Sequence, residues 1–134
     1  MDSRNWMAMT PSQAHLKHWR RRLALEAQAA EKRRRDALSA ADRCAGDLSR
    51  RWPSVAEVWL FGSVLGSGFT SCSDLDLAVK GLPRLELLAA MAAMERISLD
   101  IPVDLVRIED LAPHWQQRIR ERGKRLAGGG QPLQ

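Results

Sequence analysis

The sequence predicts one domain of the α/β (α+β) class, in which helices pack on a small mixed sheet of about three or more strands, with a long N-terminal helical extension. Three observations support this prediction. Residues 12–44 contain neither Gly nor Pro and are rich in strong helix formers. Three later runs of apolar residues have the composition and period of strands. A chain of 134 residues is long enough for one domain with a core and too short for two of ordinary size.

The N-terminal segment is predicted to form one or two long helices, because its apolar residues recur at steps of three and four. The stripe comprises Leu16, Trp19, Leu23, Ala27 and Ala30, and it resumes at Ala37, Ala41, Ala45, Leu48 and Trp52. A basic run at 32–35 interrupts the stripe, which indicates either a bend or a stretch that projects away from the domain. The segment exceeds the roughly 11 to 12 residues of an average helix. Residues 11–35 are therefore expected to pack against a second copy of the chain or against a partner.

Three strands are predicted in the rest of the chain. The first is a β-branched and aromatic run at 55–61. In the second, at 74–79, aliphatic residues alternate with two aspartates and Ala78, which predicts one apolar face and one acidic face. The third covers 101–106 and carries Asp104 among apolar residues.

Two further helices are predicted between and after these strands. Pro83 suits the first turn of one helix, because its missing N–H would have no partner there. The buried stripe of this helix comprises Leu87, Ala90, Met91, Met94 and Ile97, and that of the last helix, at 110–126, comprises Leu111, Trp115, Ile119 and Leu126. The chain is accordingly divided into a helical extension (1–44), a domain (45–126) and a flexible tail (127–134).

Charge and composition limit the classes of function. The net charge is +5, and residues 1–51 hold 12 Lys and Arg against 6 Asp and Glu. This excess can attract nucleic acid or an acidic partner, but no aromatic residue is interleaved with the run at 32–35, so a solvated helix face is favoured. Neither a secretory signal nor a membrane-spanning run is present, so a cytoplasmic location is expected. Cys44 and Cys72 lack metal-ligand spacing and are expected to be reduced thiols.

Two carboxylates are predicted to share one face of the second strand. Residues two apart in a strand point the same way, so Asp74 and Asp76 are aimed together. They repel each other unless a cation lies between them. Hard oxygen ligands of this kind suit magnesium, which also keeps waters and substrate phosphate oxygens in its shell. Upstream, Gly62 lets the backbone approach a ligand closely and Ser63 offers a hydroxyl and an N–H, which suits a triphosphate.

This pattern resembles the signature of the minimal nucleotidyltransferases of the DNA polymerase beta superfamily. Gly62-Ser63 is followed after ten residues by Asp74 and Asp76, and about thirty residues later by an aspartate inside an apolar strand. Phe61, Ser73 and the strand at 103–106 also match, whereas Ser67 stands at a position where the family often has glycine.

The resemblance implies a nucleotidyltransferase-like fold over about residues 45–126 and a magnesium site that holds two ions. It assigns three catalytic metal ligands, Asp74, Asp76 and Asp104, and three nucleotide-binding residues, Gly62, Ser63 and Ser73.

The implied reaction is metal-assisted attack of an acceptor hydroxyl on the α-phosphorus of a nucleoside triphosphate, with pyrophosphate leaving. Stand-alone domains of this size resemble the antitoxins of HEPN/MNT toxin–antitoxin pairs, which bind a HEPN ribonuclease and can transfer AMP from ATP to its tyrosine. Two alternatives remain open. The chain could neutralise such a toxin by binding alone, or, least favoured, it could bind nucleic acid through the basic N-terminal helix.

Overall fold

The computed structural model describes residues 3–66 and 68–127, with the backbone alone for residues 3–11 and 127. The helices are α1 (Ser3–Arg51), α2 (Leu87–Ile97) and α3 (Pro113–Arg122), and the strands are β1 (Glu57–Phe61), β2 (Leu75–Lys80), β3 (Val103–Arg107) and β4 (Lys124–Ala127). Short 3-10 turns lie at Ser63–Leu65, Arg84–Glu86 and Ile108–Asp110. The predicted fold class is confirmed.

The four strands form one mixed sheet in the order β3-β2-β1-β4. β1 is antiparallel to both β2 and β4, and β2 is parallel to β3. Parallel neighbours need a long crossover, which α2 supplies between β2 and β3. The two strands run in the same direction, so the N-terminal end of β2 lies beside the N-terminal end of β3.

Helices cover both faces of the sheet. On one face, the C-terminal half of α1 and the buried side of α2 pack on aliphatic side chains of all four strands, including Leu60, Leu77 and Leu105. On the other face, Ala78 is buried against Ile108 and Ile119, which come from the last 3-10 turn and from α3. The predicted stripe of α2 is confirmed, since its members are either buried or packed against the core.

The N-terminal segment forms a single helix of 49 residues that continues through the basic run at 32–35 and past the predicted boundary at residue 44. Residues 12–29 are exposed along their whole length, whereas Arg33 and Arg34 of the basic run are only partly exposed. The run therefore forms neither of the two predicted features, a bend or a projecting stretch. The helix ends just before Pro53, whose ring disfavours the helical conformation of the preceding residue. Within the described residues, no helix is both long and apolar enough to cross a bilayer.

Three details of the sequence prediction are wrong. The last helix ends at Arg122, because Gly123 is extended and has no side chain to prevent its close approach to the carbonyls of Ile119 and Leu60. Leu126 lies in β4, which pairs with β1 at the edge of the sheet. Ala78 is buried rather than on an open acidic face. A 3-10 turn follows Pro83 before α2 begins. Of the predicted flexible tail at 127–134, Ala127 lies in β4. Residues 128–134, like Ser67, lie outside the described residues.

Candidate active site

The backbone of Gly62 lies directly against the carboxylate of Asp76. Phe61 pairs with Asp76 across the antiparallel β1–β2 ladder, so the residue after β1 meets the same side chain. Gly62 has a φ of 85°, a conformation that favours glycine. A Cβ at this position would collide with Oδ2 of Asp76. Glycine is therefore required both by the backbone conformation and by the carboxylate.

The carboxylates of the site come from neighbouring strands. Asp76 and Asp104 are direct partners in the parallel β2–β3 ladder, and Asp74 lies two residues before Asp76, immediately before β2 begins. Partial burial raises the pKa of Asp76 above its ordinary value, and the negative charges of Asp104 and Asp74 raise it further. The structure thus concentrates negative charge at the end of the sheet, beside Gly62.

The donor chemistry of this cluster fits magnesium. Across residues 3–66 and 68–127, no three acidic, histidine or cysteine side chains are grouped closely enough to hold one metal ion by themselves. Magnesium, however, is commonly bound by one or two carboxylates, with waters and substrate phosphates completing its shell. Asp76 and Asp104, as adjacent oxygen donors, meet that requirement, and the mutual repulsion of the cluster favours a bound cation.

The Gly62-Ser63 pair opens a tight turn. The N–H of Leu65 donates to the carbonyl of Gly62 at 3.2 Å, and that of Gly66 donates to the carbonyl of Ser63 at 3.0 Å. Val64 is buried and anchors the turn in the core, while Ser63 stays partly exposed. The turn therefore presents the Ser63 hydroxyl on a rigid backbone.

Ser73 takes part in closing the loop that precedes β2. Its hydroxyl accepts a hydrogen bond from the N–H of Thr70 at 2.9 Å and lies 3.2 Å from the Thr70 hydroxyl. In this arrangement the side chain supports the approach to Asp74, and a direct contact with nucleotide remains a prediction.

Three hydrogen bonds join α1 to the loop between β1 and β2, which contains both the Gly62 turn and Ser73. Nε of Arg34 donates to the carbonyl of Val64, and Nε of Arg33 donates to the carbonyl of Ser73, each at 2.8 Å. A third bond joins the Ser71 hydroxyl to a Glu26 carboxylate oxygen at 2.6 Å. The prediction that residues 11–35 pack away from their own domain is therefore wrong at these positions, because the side chains on the loop-facing side of α1 reach the loop.

A pocket of about 420 Å³ opens next to Gly62. One wall is the end of β1 with the Gly62 turn, and the other is α3; the lining residues are Phe61, Gly62, Leu65, Gly66, Trp115, Arg118, Ile119, Arg122 and Gly123. The Arg118 guanidinium lies 5.6 Å from the centre of the Trp115 ring. Neither Arg118 nor Arg122 forms an ion pair within the described part of the chain. The pocket therefore combines an apolar floor, a half-exposed indole and two free positive charges.

Residues 47–129 match the family model of the polymerase beta nucleotidyltransferases. The chain belongs to this family. The match contains every residue of the carboxylate cluster and of the Gly62 turn, so the resemblance inferred from the motif is confirmed. Most of α1 lies outside it.

Solved structures of similar fold include chains of toxin–antitoxin complexes and a nucleotidyltransferase-like protein. A chain of a toxin–antitoxin crystal structure with AMP-PNP is 26% identical, with a TM-score of 0.55 over 65% of this chain and 73% of that one. A chain from the complex of tri-AMPylated HEPN toxin with MNT antitoxin from Shewanella oneidensis is 23% identical, with a TM-score of 0.53 over 69% and 72%. A Sulfolobus solfataricus protein provisionally assigned as a nucleotidyltransferase is 16% identical, with a TM-score of 0.52 over 79% and 93%. No curated protein sequence matches this chain significantly.

Two groups of residues at this nucleotidyltransferase site escaped the sequence prediction. Arg33 and Arg34 were interpreted as part of a solvated or projecting run, although their interruption of an apolar helix face is the signal that could have placed them against polar groups. Trp115 was assigned to a buried stripe but is 49% exposed at the mouth of the pocket. The sequence gave no indication that Arg118 and Arg122 line the same pocket, because the pocket forms only when α3 packs on β1.

Proposed function

We propose that this chain is a magnesium-dependent nucleotidyltransferase that moves AMP from ATP to a hydroxyl of a partner protein, acting as the antitoxin of a HEPN ribonuclease. One observation carries the proposal: in a polymerase beta family chain, the backbone of Gly62 lies against Asp76, which is paired with Asp104. This proximity supports a phosphate-binding role for the turn and a metal-binding role for the carboxylates, because the two functions must act on the same triphosphate. Such a reaction is expected to take place in the cytoplasm.

The roles of the residues follow from their positions. Asp76 and Asp104, paired on neighbouring strands, would bind magnesium together with waters and phosphate oxygens, and Asp74 would join them as a ligand once the ion draws the carboxylates together. Asp104 would also orient the acceptor hydroxyl. Bound magnesium, with two ions expected, would neutralise the phosphate charge and lower the pKa of the attacking hydroxyl. The raised pKa of Asp76 means that this carboxyl holds a proton more readily than an ordinary aspartate. A bound cation would offset its repulsion with Asp104 and so favour the deprotonated form, which is the form that binds metal.

The pocket beside Gly62 is where we place the nucleotide. Arg118 and Arg122 would neutralise phosphate oxygens near the Ser63 hydroxyl, because guanidinium groups pair with phosphates through several hydrogen bonds. The exposed ring of Trp115 would stack on the base, since such stacking accepts any base and adds roughly 1 to 3 kcal/mol. The volume of about 420 Å³ is in the range of small-molecule sites.

The nature of the acceptor is supported by the relatives and by composition. The relative at 26% identity is a toxin–antitoxin structure with AMP-PNP, a nucleoside triphosphate analogue. A second toxin–antitoxin structure contains a chain that is 30% identical, with a TM-score of 0.50. This chain contains no tyrosine, so a tyrosine acceptor must belong to another molecule. A HEPN toxin is the partner that these observations favour.

Incubation with labelled ATP and magnesium tests the proposal. The chain alone is expected to gain little label, whereas a co-purified HEPN partner should gain the mass of AMP. Asp74→Asn and Asp76→Asn should each abolish transfer without unfolding the domain, and Asp42→Asn, an exposed change on α1, should leave it intact. Strong labelling of the chain alone would point to a serine or threonine acceptor. Undiminished neutralisation of the toxin by Asp76→Asn, without labelling of either protein, would establish the binding-only alternative.

A further inference from the structure

The loop that carries the site, residues 62–66 and 68–74, is attached to α1 through its backbone. Arg34 donates to the carbonyl of Val64 at 2.8 Å, in the peptide that joins Val64 to Leu65. The Val64 side chain is buried in the core at the same time. This peptide is therefore fixed on two sides, and the neighbouring Ser63 has little freedom to move.

The second limb of the loop is held in the same way. Arg33 donates to the carbonyl of Ser73, the residue immediately before Asp74, at 2.8 Å. Glu26, which precedes Arg33 by two turns of α1, accepts a hydrogen bond from the Ser71 hydroxyl. Neighbouring arginines on one helix thus hold the backbone at both motifs of the site. Since the bonds go to main-chain carbonyls, they constrain the path of the loop whatever its side chains are.

The same arginines bring fixed charge to the loop. A guanidinium stays protonated at any physiological pH, and both side chains are only partly exposed, so solvent and salt screen them less than surface charges. The next residue, Arg35, is exposed and makes no hydrogen bond or ion pair among the described residues. The basic run therefore contains two anchored arginines and, beside them, a natural control.

We propose that Arg33 and Arg34 are positioning residues for the nucleotide, so that α1, most of which lies outside the family match, forms part of the nucleotide site. They place the Gly62-Ser63 turn and Asp74 at the correct separation and add positive charge beside the bound phosphates. The nucleotide concerned is the magnesium-bound ATP of the proposed function, on which this inference rests.

Single alanine variants measured in two ways test the inference. Arg33→Ala and Arg34→Ala are each expected to raise the Kd of ATP with magnesium about tenfold in calorimetry, equivalent to about 1.4 kcal/mol, while Arg35→Ala leaves it unchanged. Amide exchange at residues 63–66 and 70–74 should become faster in both variants without nucleotide, and stay at the wild-type rate in Arg35→Ala. Arg34→Lys, which keeps charge and a donor, should recover part of the affinity, and Arg34→Gln should recover less.

The outcomes separate this inference from the proposed function. If amide exchange at residues 63–66 and 70–74 is as slow in Arg33→Ala and Arg34→Ala as in Arg35→Ala, the inference is overturned, whatever the measured affinity for ATP. Faster exchange throughout β1 and β3, with a lower urea midpoint, would also overturn it, because the bonds would then serve general stability. If loop exchange responds as expected but the wild-type chain binds no ATP, the anchoring by Arg33 and Arg34 stands and the proposed function fails.

Discussion

At the scale of single residues, the site depends on a steric match between Gly62 and Asp76. The glycine has a positive φ and leaves no room for a Cβ beside the carboxylate. Gly66, four residues later in the same loop, has a φ of −117° and open space where a Cβ would lie. Two glycines of one loop thus face opposite constraints, which makes them a matched pair.

Gly62→Ala is expected to destabilise the domain by roughly 1 to 3 kcal/mol, because a φ of 85° with a ψ of −159° is a conformation that is nearly restricted to glycine. It should also abolish nucleotide transfer, since the new methyl group displaces the Asp76 carboxylate. Gly66→Ala should leave stability close to that of wild type, because a Cβ there would meet open space. Urea denaturation compares the stability of the two variants, and the AMP-transfer assay measures the loss of activity in Gly62→Ala; equal stability of the two variants would contradict the assignment. Ser63→Ala should weaken ATP binding only in part, because backbone donors remain.

Asp76 links the chemistry of the site to the pH dependence of stability. Its pKa is raised in the folded chain, first by burial and then by Asp104 and Asp74, so the folded state binds more protons than the unfolded state between the ordinary value of about 3.9 and the raised one. Stability conferred by this group therefore falls as pH rises through that window. Without magnesium, Asp76→Asn should be more stable than wild type near neutral pH, and the difference should vanish in acid.

Urea midpoints with a chelator present, compared with those of Asp42→Asn, measure this effect. Added magnesium should stabilise the wild-type chain more than Asp76→Asn, since a ligand that binds only the folded state raises its stability. An Asp76→Asn variant less stable than wild type at neutral pH would show that the carboxylate is already compensated in the folded chain.

At the scale of elements, local periodicity predicted most of the structure. The alternation around Asp76 and the helical stripe around Met94 are properties of consecutive residues, so they could be predicted from the chain alone. β4 could not, because the spacing from Ile119 to Leu126 fits two turns of helix, and only pairing with β1 makes the edge strand favourable. The burial of Ala78 depends in the same way on α3 packing over it.

The exposed part of α1 gives the prediction at this scale. At 100° per residue, Leu16, Trp19 and Leu23 lie on the same side of the helix as Glu26, Arg33 and Arg34, which contact the loop. The side chains of Leu16, Trp19 and Leu23 are 52%, 51% and 65% exposed, respectively. Leu25 is 58% exposed but lies on the opposite side of the helix. An exposed apolar stripe of this kind is typical of a helix that packs against another chain.

We therefore expect the chain to form a dimer or a stable complex with its partner through this stripe. The double change Leu16→Glu and Leu23→Glu should dissociate the assembly in light scattering, and Leu25→Glu should leave it unchanged. Neither change should unfold the domain, because these side chains are exposed. A monomer with rapid amide exchange over residues 12–29 in the presence of the partner would contradict the expectation.

At the scale of the whole molecule, the site was more predictable than its surroundings. Asp74, Asp76 and Gly62 stand close together in sequence, and Asp104 lies in a strand whose pairing follows from a simple crossover. The pocket with Trp115 and the anchoring by Arg34 arise where elements distant in sequence pack together. Those contacts depend on how the helices are oriented on the sheet, which cannot be predicted from patterns of neighbouring residues.

The reactivity of the two cysteines shows whether α1 and the sheet stay packed together. Burial raises the pKa of the Cys44 thiol to about 11, a shift that the charge of Arg43 opposes and that of Asp47 reinforces, whereas Cys72 is exposed. Thiolate is the reactive form, so Cys44 should be inert in the folded chain. Reaction with a thiol reagent near neutral pH is expected to label one cysteine quickly, and Cys72→Ser should remove that fast phase. Because α1 and the sheet share one core around Cys44, the second label should appear only at the rate of global opening and should accelerate with urea. Two fast thiols in native buffer would show instead that α1 separates from the sheet on its own.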